Sequence, residues 1–512
     1  MSEPGMISGL VAALSPANLL YCFTGCVLGT VVGMLPGLGP AATLAMLLPL
    51  INYIDPTAAM IMFAGIFYGA MYGGSTTSIL MNIPGEASSV ATCIDGFQMT
   101  KQGRAGEALA IAAIGSFIAG TAGVVLLSFM GPRVADFALV FGPPEQFGLV
   151  FFSLASIVAF SGRAPLKGIA AGLVGITLAC IGLDPLSGKD RLVFDIVQLR
   201  SGLDVIPLLM GLFGVAEVLV SADEKIEAIF KGKLGRLIPR GEELKRGLNA
   251  SVRGTVVGLV AGLIPGMHSA ITTFISYDLE KRIARQPERF GRGAIEGVAS
   301  PEANNNAMAM SGFVPLFVFG IPTMPIFAIL LSVLVILGLT PGPLLFTRHA
   351  DFTWTVIASM YVGNVMLLIL NLPLVGLWAK ICLIPYRILG PIILGICFIG
   401  AYSLRNSMLD VWTTAVFGIV GYAMRKRGWP VAPMILGFIL GPMLERHLRA
   451  SLQLSDGSLS IFVTRPITLA FIVLGVLLCV LSVRWLVVRK ALDESGTDEA
   501  APVAPVTKGK AA

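Results

Sequence analysis

Apolar runs of about the length of a membrane-spanning helix recur along the chain, and they are interrupted in pairs. Gly29-Thr-Val-Val-Gly33-Met-Leu-Pro36-Gly37 returns 229 positions later as Gly258-Leu-Val-Ala-Gly262-Leu-Ile-Pro265-Gly266. A second interruption follows each: Asn82-Ile-Pro-Gly-Glu86 and, 238 positions on from Ile83, Gly320-Ile-Pro-Thr-Met324. Bilayer hydrocarbon tolerates a broken helix only where the freed N–H and C=O groups are buried in protein or line a polar cavity. Paired breaks in two halves mark the binding site of a secondary transporter.

The pattern predicts an all-α polytopic membrane protein with roughly 11 to 13 transmembrane helices, discontinuous or re-entrant pieces among them. No ten-residue alternation suggests a transmembrane β-barrel. The first half, 1–222, runs from a helix ending near Pro36 through a spanning or re-entrant piece at Leu38–Ile54 into Thr57–Ile83, then a polar loop, Glu86–Gly106. A charged linker, 223–253, carries eight Lys or Arg against five Asp or Glu and is expected on the cytoplasmic side. An amphipathic helix broken at Pro239 is expected over Phe230–Arg246. The second half with extra helices spans 254–490, and 491–512 reads as a disordered tail. The second copy is nine residues longer between its breaks, which places an insertion at Arg282–Gly293. Inversion of one copy relative to the other is the arrangement expected of such repeats.

Composition agrees. The 512 residues are 55% hydrophobic and 13% charged, with mean hydropathy +0.84, against about 25% charged in soluble domains. With 59 Gly and 31 Pro, helices can approach closely and bend. The net charge of +6 sits beside apolar segments, as topology requires, and implies no nucleic-acid partner. The seven cysteines read as buried thiols, and no metal ligand set or cofactor motif is present. Met1–Ile7 lacks the basic start of a removable signal peptide. No Walker loop, zinc-protease or nucleophile-elbow motif occurs, so neither ATP-driven transport nor an enzyme is indicated. His268, after the second break, fits proton sensing or plain helix packing and capping.

Three polar stretches hold the candidate site. Tyr72-Gly-Gly-Ser-Thr-Thr-Ser-Ile79 is read as an unwound stretch in which Ser75, Thr76 and Thr77 offer hydroxyls, against the alternative of tight packing with back-bonded hydroxyls. Asn82, Pro84, Gly85, Gly320, Pro322 and Thr323 are candidates for substrate contact at the breaks, where backbone N–H groups around Asn82–Gly85 and Gly320–Thr323 could face an anion. Glu296-Gly-Val-Ala-Ser-Pro-Glu302-Ala-Asn304-Asn305-Asn306 supplies amides that both donate and accept; Asn304 and Asn305 are the candidates, with a hydrated loop and helix cap as the alternative. A coupling cation has four candidate contacts: exposed carbonyls at Gly37 and Gly266, and the carboxylates Asp95 and Glu302. Asp95 fits a helix cap equally well. The first half is expected to give mainly backbone and hydroxyl contacts, the second mainly amides.

At these cassettes the chain resembles the large membrane subunit of the tripartite tricarboxylate transporters. The matching stretches are Gly33–Pro40, Tyr72–Glu86, Asp95–Gly106, Phe290–Glu302 with Asn304–Ala307, Gly320–Pro322 and Pro341–Phe346. The resemblance implies a multi-pass permease of the bacterial inner membrane, driven by a sodium or proton gradient. It also implies a small membrane subunit of about four helices and a periplasmic protein that captures an organic carboxylate and delivers it. The sequence departs from that pattern at Thr323, at Glu302-Ala-Asn-Asn-Asn-Ala307 and at Pro265-Gly-Met-His-Ser269. A channel-like pore for organic anions and, behind it, a membrane-embedded enzyme are the competing readings.

Overall fold

The computed structural model describes residues 5–35, 39–160, 164–184, 187–222, 235–372, 374 and 386–494. It is helical almost throughout; a two-residue antiparallel pair, Gly182 against Arg191 and Leu183 against Asp190, is the sheet content among the described residues. Among the described residues six helices are long and apolar enough to cross a membrane: Pro16–Met34, Pro56–Met81, Ala105–Ala138, Val205–Ala222, Ala350–Asn371 and Pro466–Arg484. Shorter apolar helices follow at Pro40–Tyr53, Pro165–Ala179, Pro325–Ile336 and Leu389–Arg405. Full-length spans and shorter apolar pieces together make the all-α polytopic membrane protein that the sequence predicts. Residues 491–494 of the expected disordered tail instead end the helix Pro466–Glu494; 495–512 and the breaking residues Pro36 and Gly37 lie outside the described residues.

Local chemistry sets the helix ends. Asp55 caps helix 56–81 by accepting from Thr57 N at 2.9 Å and Ala58 N at 3.2 Å, with Pro56 in the first turn, where its missing N–H costs nothing. The helix stops at Asn82, whose φ of 58° is left-handed. Its repeat mate behaves alike: Phe313–Phe319 stops at Gly320, φ 66°. Asn and Gly are the residues that enter this conformation most readily, and each is followed by Ile-Pro.

Two sequence expectations are corrected here. Tyr72–Ile79 is not unwound but lies inside the continuous helix 56–81, because hydroxyls bond back to the preceding turn: Ser78 Oγ donates to Gly74 O at 2.9 Å and Thr77 Oγ1 to Gly74 O at 3.3 Å. Most of Glu86–Gly106 is not a loop but a short turn, Ala87–Ser89, and a helix, Val90–Lys101. A helix already begins at Glu242 and runs to Gly262, so the charged linker is partly helical. Of the expected Phe230–Arg246 helix, residues 230–234 lie outside the described residues, 235–241 are not helical, and 242–246 are.

The repeat is visible in the packing. Gly25, Gly29 and Gly33 on helix 16–34 lie against the carbonyls of Met62, Ile66 and Ala70, and an added Cβ would collide with each. Gly254, Gly258 and Gly262, all 229 positions later, lie in the same way against Ser300, Asn304 and Met308, all 238 positions later. Small residues at this spacing let backbones touch where no hydrophobic force separates lipid from protein.

The halves interlock. Helix 105–138 of the first half packs on Glu242–Gly262 and Glu296–Ser311 of the second; helix 350–371 of the second packs on 16–34 and 56–81 of the first. The arms exchange too. Helix 165–179 packs on Ala432–Leu454, with Gly175 against the Met434 carbonyl, while Met408–Lys426 packs on 205–222, with Gly211 against the Thr414 carbonyl. The site is therefore held between parts of both halves.

Candidate functional site

Helix 296–311 is buried at every residue, its carboxylates and amides included, which removes the reading of this stretch as a hydrated loop. Its consecutive amides point three ways, as 100° per residue dictates. Asn304 Oδ1 accepts from Thr272 Oγ1 at 2.9 Å; Asn305 Nδ2 donates to Glu86 Oε1 at 3.2 Å; Asn306 Nδ2 donates to Ser116 Oγ at 2.7 Å. Each keeps one unpartnered buried atom: Asn304 Nδ2, Asn305 Oδ1 and Asn306 Oδ1. Unsatisfied amide atoms in a native interior are unusual and mark places where a ligand or water completes the bonding.

The two halves meet at Glu302. Ser75 Oγ donates to its Oε2 at 2.7 Å and Thr92 Oγ1 to its Oε1 at 2.5 Å. Beside it, Glu86 Oε1 accepts from Ser88 Oγ at 2.5 Å and from Asn305. Gly74 gives Glu86 room to lie against helix 56–81, since a Cβ there would stand 3.0 Å from Glu86 Cγ. Hydroxyls thus come from the first half, the amide from the second, and one carboxylate from each. A pocket just large enough for a water molecule adjoins them, lined by Tyr72, Ser75, Thr76, Ser116 and Asn371. Tyr72 is fixed there by donating to Asn364 Oδ1 at 2.8 Å.

The remaining sequence candidates fall elsewhere. Thr77 is buried and bonded to its own helix. Asn82 and Pro84 are exposed, whereas Gly85 is buried against Gly33 O and Thr77 Oγ1, which joins the two breaks of the first half. The second half joins its breaks directly: Gly266 N donates to Thr323 O at 2.9 Å. Thr323 Oγ1 is buried and unpartnered, Gly320 abuts Pro341, and Ile321 packs in a separate apolar cluster with Phe141 and Leu149. Asp95 is fully buried and its oxygens are taken: Oδ1 accepts from Gly293 N at 2.7 Å and Ala294 N at 2.8 Å, Oδ2 from Tyr277 Oη at 2.8 Å. It caps the chain entering helix 296–311. Gly37 lies outside the described residues. His268 precedes helix Ser269–Ile283 without a side-chain capping bond. Of the cysteines, Cys22, Cys26 and Cys397 are buried while Cys93, Cys180 and Cys479 are half-buried, all as free thiols; Cys382 is outside the described residues.

Sequence reasoning passed over Glu86, Ser88, Thr92, Ser116 and Asn371. Glu86 was visible only as the end of a break; its role depends on a turn that folds it back toward Asn305.

The internal repeat also shows what stands at the equivalent place. At 238 positions apart, Asn305 corresponds to Phe67, Ser75 to Phe313 and Ser89 to Phe327. These three rings pack together, with centroids 6.2 Å (67–313), 5.2 Å (67–327) and 5.1 Å (313–327) apart. The polar cluster on one side is matched by an aromatic plug on the other.

Comparison with known proteins agrees with the geometry. The model of the tripartite tricarboxylate transporter TctA family matches residues 19–436. The chain is 42% identical over 492 residues to an uncharacterized 52.8 kDa protein in the TAR-I ttuC′ 3′ region of Agrobacterium vitis, covering 96% of this chain and 98% of that one. A protein in the TAR-II ttuC′ 3′ region of the same organism is 46% identical over 211 residues, 41% of this chain and 87% of its own length. No solved structure matches.

Proposed function

Because this chain belongs to the tripartite tricarboxylate transporter TctA family, we propose that it imports a di- or tricarboxylate or related organic acid across the bacterial inner membrane, driven by a sodium or proton gradient. In this reading a periplasmic binding protein delivers the carboxylate, a small membrane subunit of about four helices completes the permease, and alternating access moves one substrate per chain. The carboxylate is held by Ser75, Thr76, Asn304 and Asn305. The two halves relate as inverted repeats.

The observation that carries the reading is the buried polar cluster in which Ser75 of one half meets Glu302 of the other, bordered by amide atoms without partners. Such a cluster in an apolar bundle costs stability unless a ligand uses it. Its single copy, opposite the Phe67–Phe313–Phe327 plug, supports one substrate site rather than two.

The test is uptake of labelled carboxylates into proteoliposomes holding both membrane subunits, with and without a sodium or proton gradient and the binding protein. Concentrative uptake that needs both gradient and binding protein is expected. Passive equilibration without the binding protein would replace this reading with a channel, and chemical change of the substrate would replace it with an enzyme.

A further inference from the structure

Glu302 is 0% exposed, and Glu86, half-buried, is bonded to Asn305 beside it. Among the described residues neither carboxylate has a Lys, Arg or His in salt-bridge range, although Arg104, Arg191, Arg253, Arg405 and Arg465 all pair with other acids. The net cost of a buried unpaired carboxylate is several kcal/mol even after relaxation. Hydroxyls offset part of it: Thr92 and Ser75 on Glu302, Ser88 on Glu86. They do not neutralise the charge.

The substrate sharpens the problem. A carboxylate brought beside two like charges in a low-dielectric site is repelled unless positive charge comes with it.

A second, independent feature points to what supplies that charge. Asn305 is 1% exposed, and the same amide that donates to Glu86 has an Oδ1 with no partner. Every donor atom gathered here is oxygen: the two carboxylates, the hydroxyls of Ser75, Ser88 and Thr92, and Asn305 Oδ1. Oxygen sets select hard cations, and a set enclosed largely by protein groups suits an ion that sheds its water easily rather than magnesium, which dehydrates reluctantly.

We infer that Glu86, Glu302, Ser75 and Asn305 form a binding site for a sodium ion, which neutralises the cluster and so creates the affinity for an organic carboxylate. This rests on the transporter reading above. It separates the candidate carboxylates: Asp95 accepts from two backbone N–H groups and a tyrosine hydroxyl that hold the chain entering helix 296–311, whereas Glu302 and Glu86 accept mainly from hydroxyls, whose oxygens can face a cation as well. Linkage makes the coupling reciprocal, so sodium tightens carboxylate binding and carboxylate tightens sodium binding by the same factor.

The test is binding of radioactive sodium to the purified full-length chain, with no transport required. Saturable binding, displaced by unlabelled sodium chloride and not by potassium chloride, is expected. Glu302→Gln is expected to weaken it by about tenfold or more. Asn305→Ala keeps both carboxylates and is expected to weaken it as well, which covers the case in which Glu302→Gln does not fold. Absence of saturable binding in the wild type, equal displacement by potassium, or unchanged affinity in a folded Glu302→Gln or Asn305→Ala protein overturns the site. Concentrative, binding-protein-dependent uptake driven by a pH gradient alone would do so too, while leaving the transporter reading intact.

Discussion

Ser75 Oγ and Glu302 Oε2 stand 2.7 Å apart although 227 positions separate them. The bond ties the hydroxyl-bearing helix of one half to the carboxylate and amide helix of the other. Repeat mates of these residues do nothing comparable: 238 positions from Ser75 is Phe313, and 238 positions before Glu302 is Ala64. One ancestral arrangement has been elaborated into a polar site on one side and an aromatic core on the other.

The aromatic side behaves as packing. Phe313→Ala is expected to lower stability by roughly 3–5 kcal/mol, seen as a drop in thermal midpoint in detergent. The number of substrate molecules bound per chain is expected to stay at one. A second bound carboxylate in the variant would show that the plug closes a functional site.

Helix approach at the matched glycines sets a different kind of limit. Gly258→Leu places a branched side chain onto the Asn304 carbonyl, and Gly29→Leu onto the Ile66 carbonyl. Both variants are expected to lose monodisperse protein on size-exclusion chromatography. Gly39→Ala, with nothing within 4 Å of its Cβ, is expected to behave as wild type.

Asp95 tests the division between structural and coupling acids. Asp95→Ala leaves two backbone N–H groups and the Tyr277 hydroxyl without their acceptor, at a cost of about 2–4 kcal/mol. Asp95→Asn keeps one acceptor and is expected to lose less. In both, saturable sodium binding by the folded protein is expected to survive. If Asp95→Asn instead removed it at unchanged thermal stability, Asp95 would belong to the coupling site.

Much of this was legible in the sequence. The Pro-Gly and Ile-Pro interruptions announce a duplicated membrane bundle, because few other patterns put breaks at matching places in apolar runs. Ser75, Glu302 and Asn305 stand out as polar residues in such runs. What the pattern hides is partnership. Glu86 and Thr92 look like loop residues until a helix at 90–101 turns them inward. Tyr72–Ile79 looks unwound from its glycines and hydroxyls, yet the membrane interior favours the conformation that satisfies every backbone group, which is helix. The aromatic plug is invisible as a plug until Phe67, Phe313 and Phe327 are seen in one place; each alone is an ordinary apolar residue.

The most direct test of the account is uptake by Ser75→Ala and Asn305→Ala, each corrected for the amount of folded protein in the membrane. Both substitutions remove an atom group without adding bulk, so abundance and thermal stability are expected to stay near wild type. Carboxylate uptake is expected to fall to background in both, and the binding protein is expected not to restore it. Wild-type uptake in both variants would contradict a transport site at the junction of Ser75, Glu302 and Asn305.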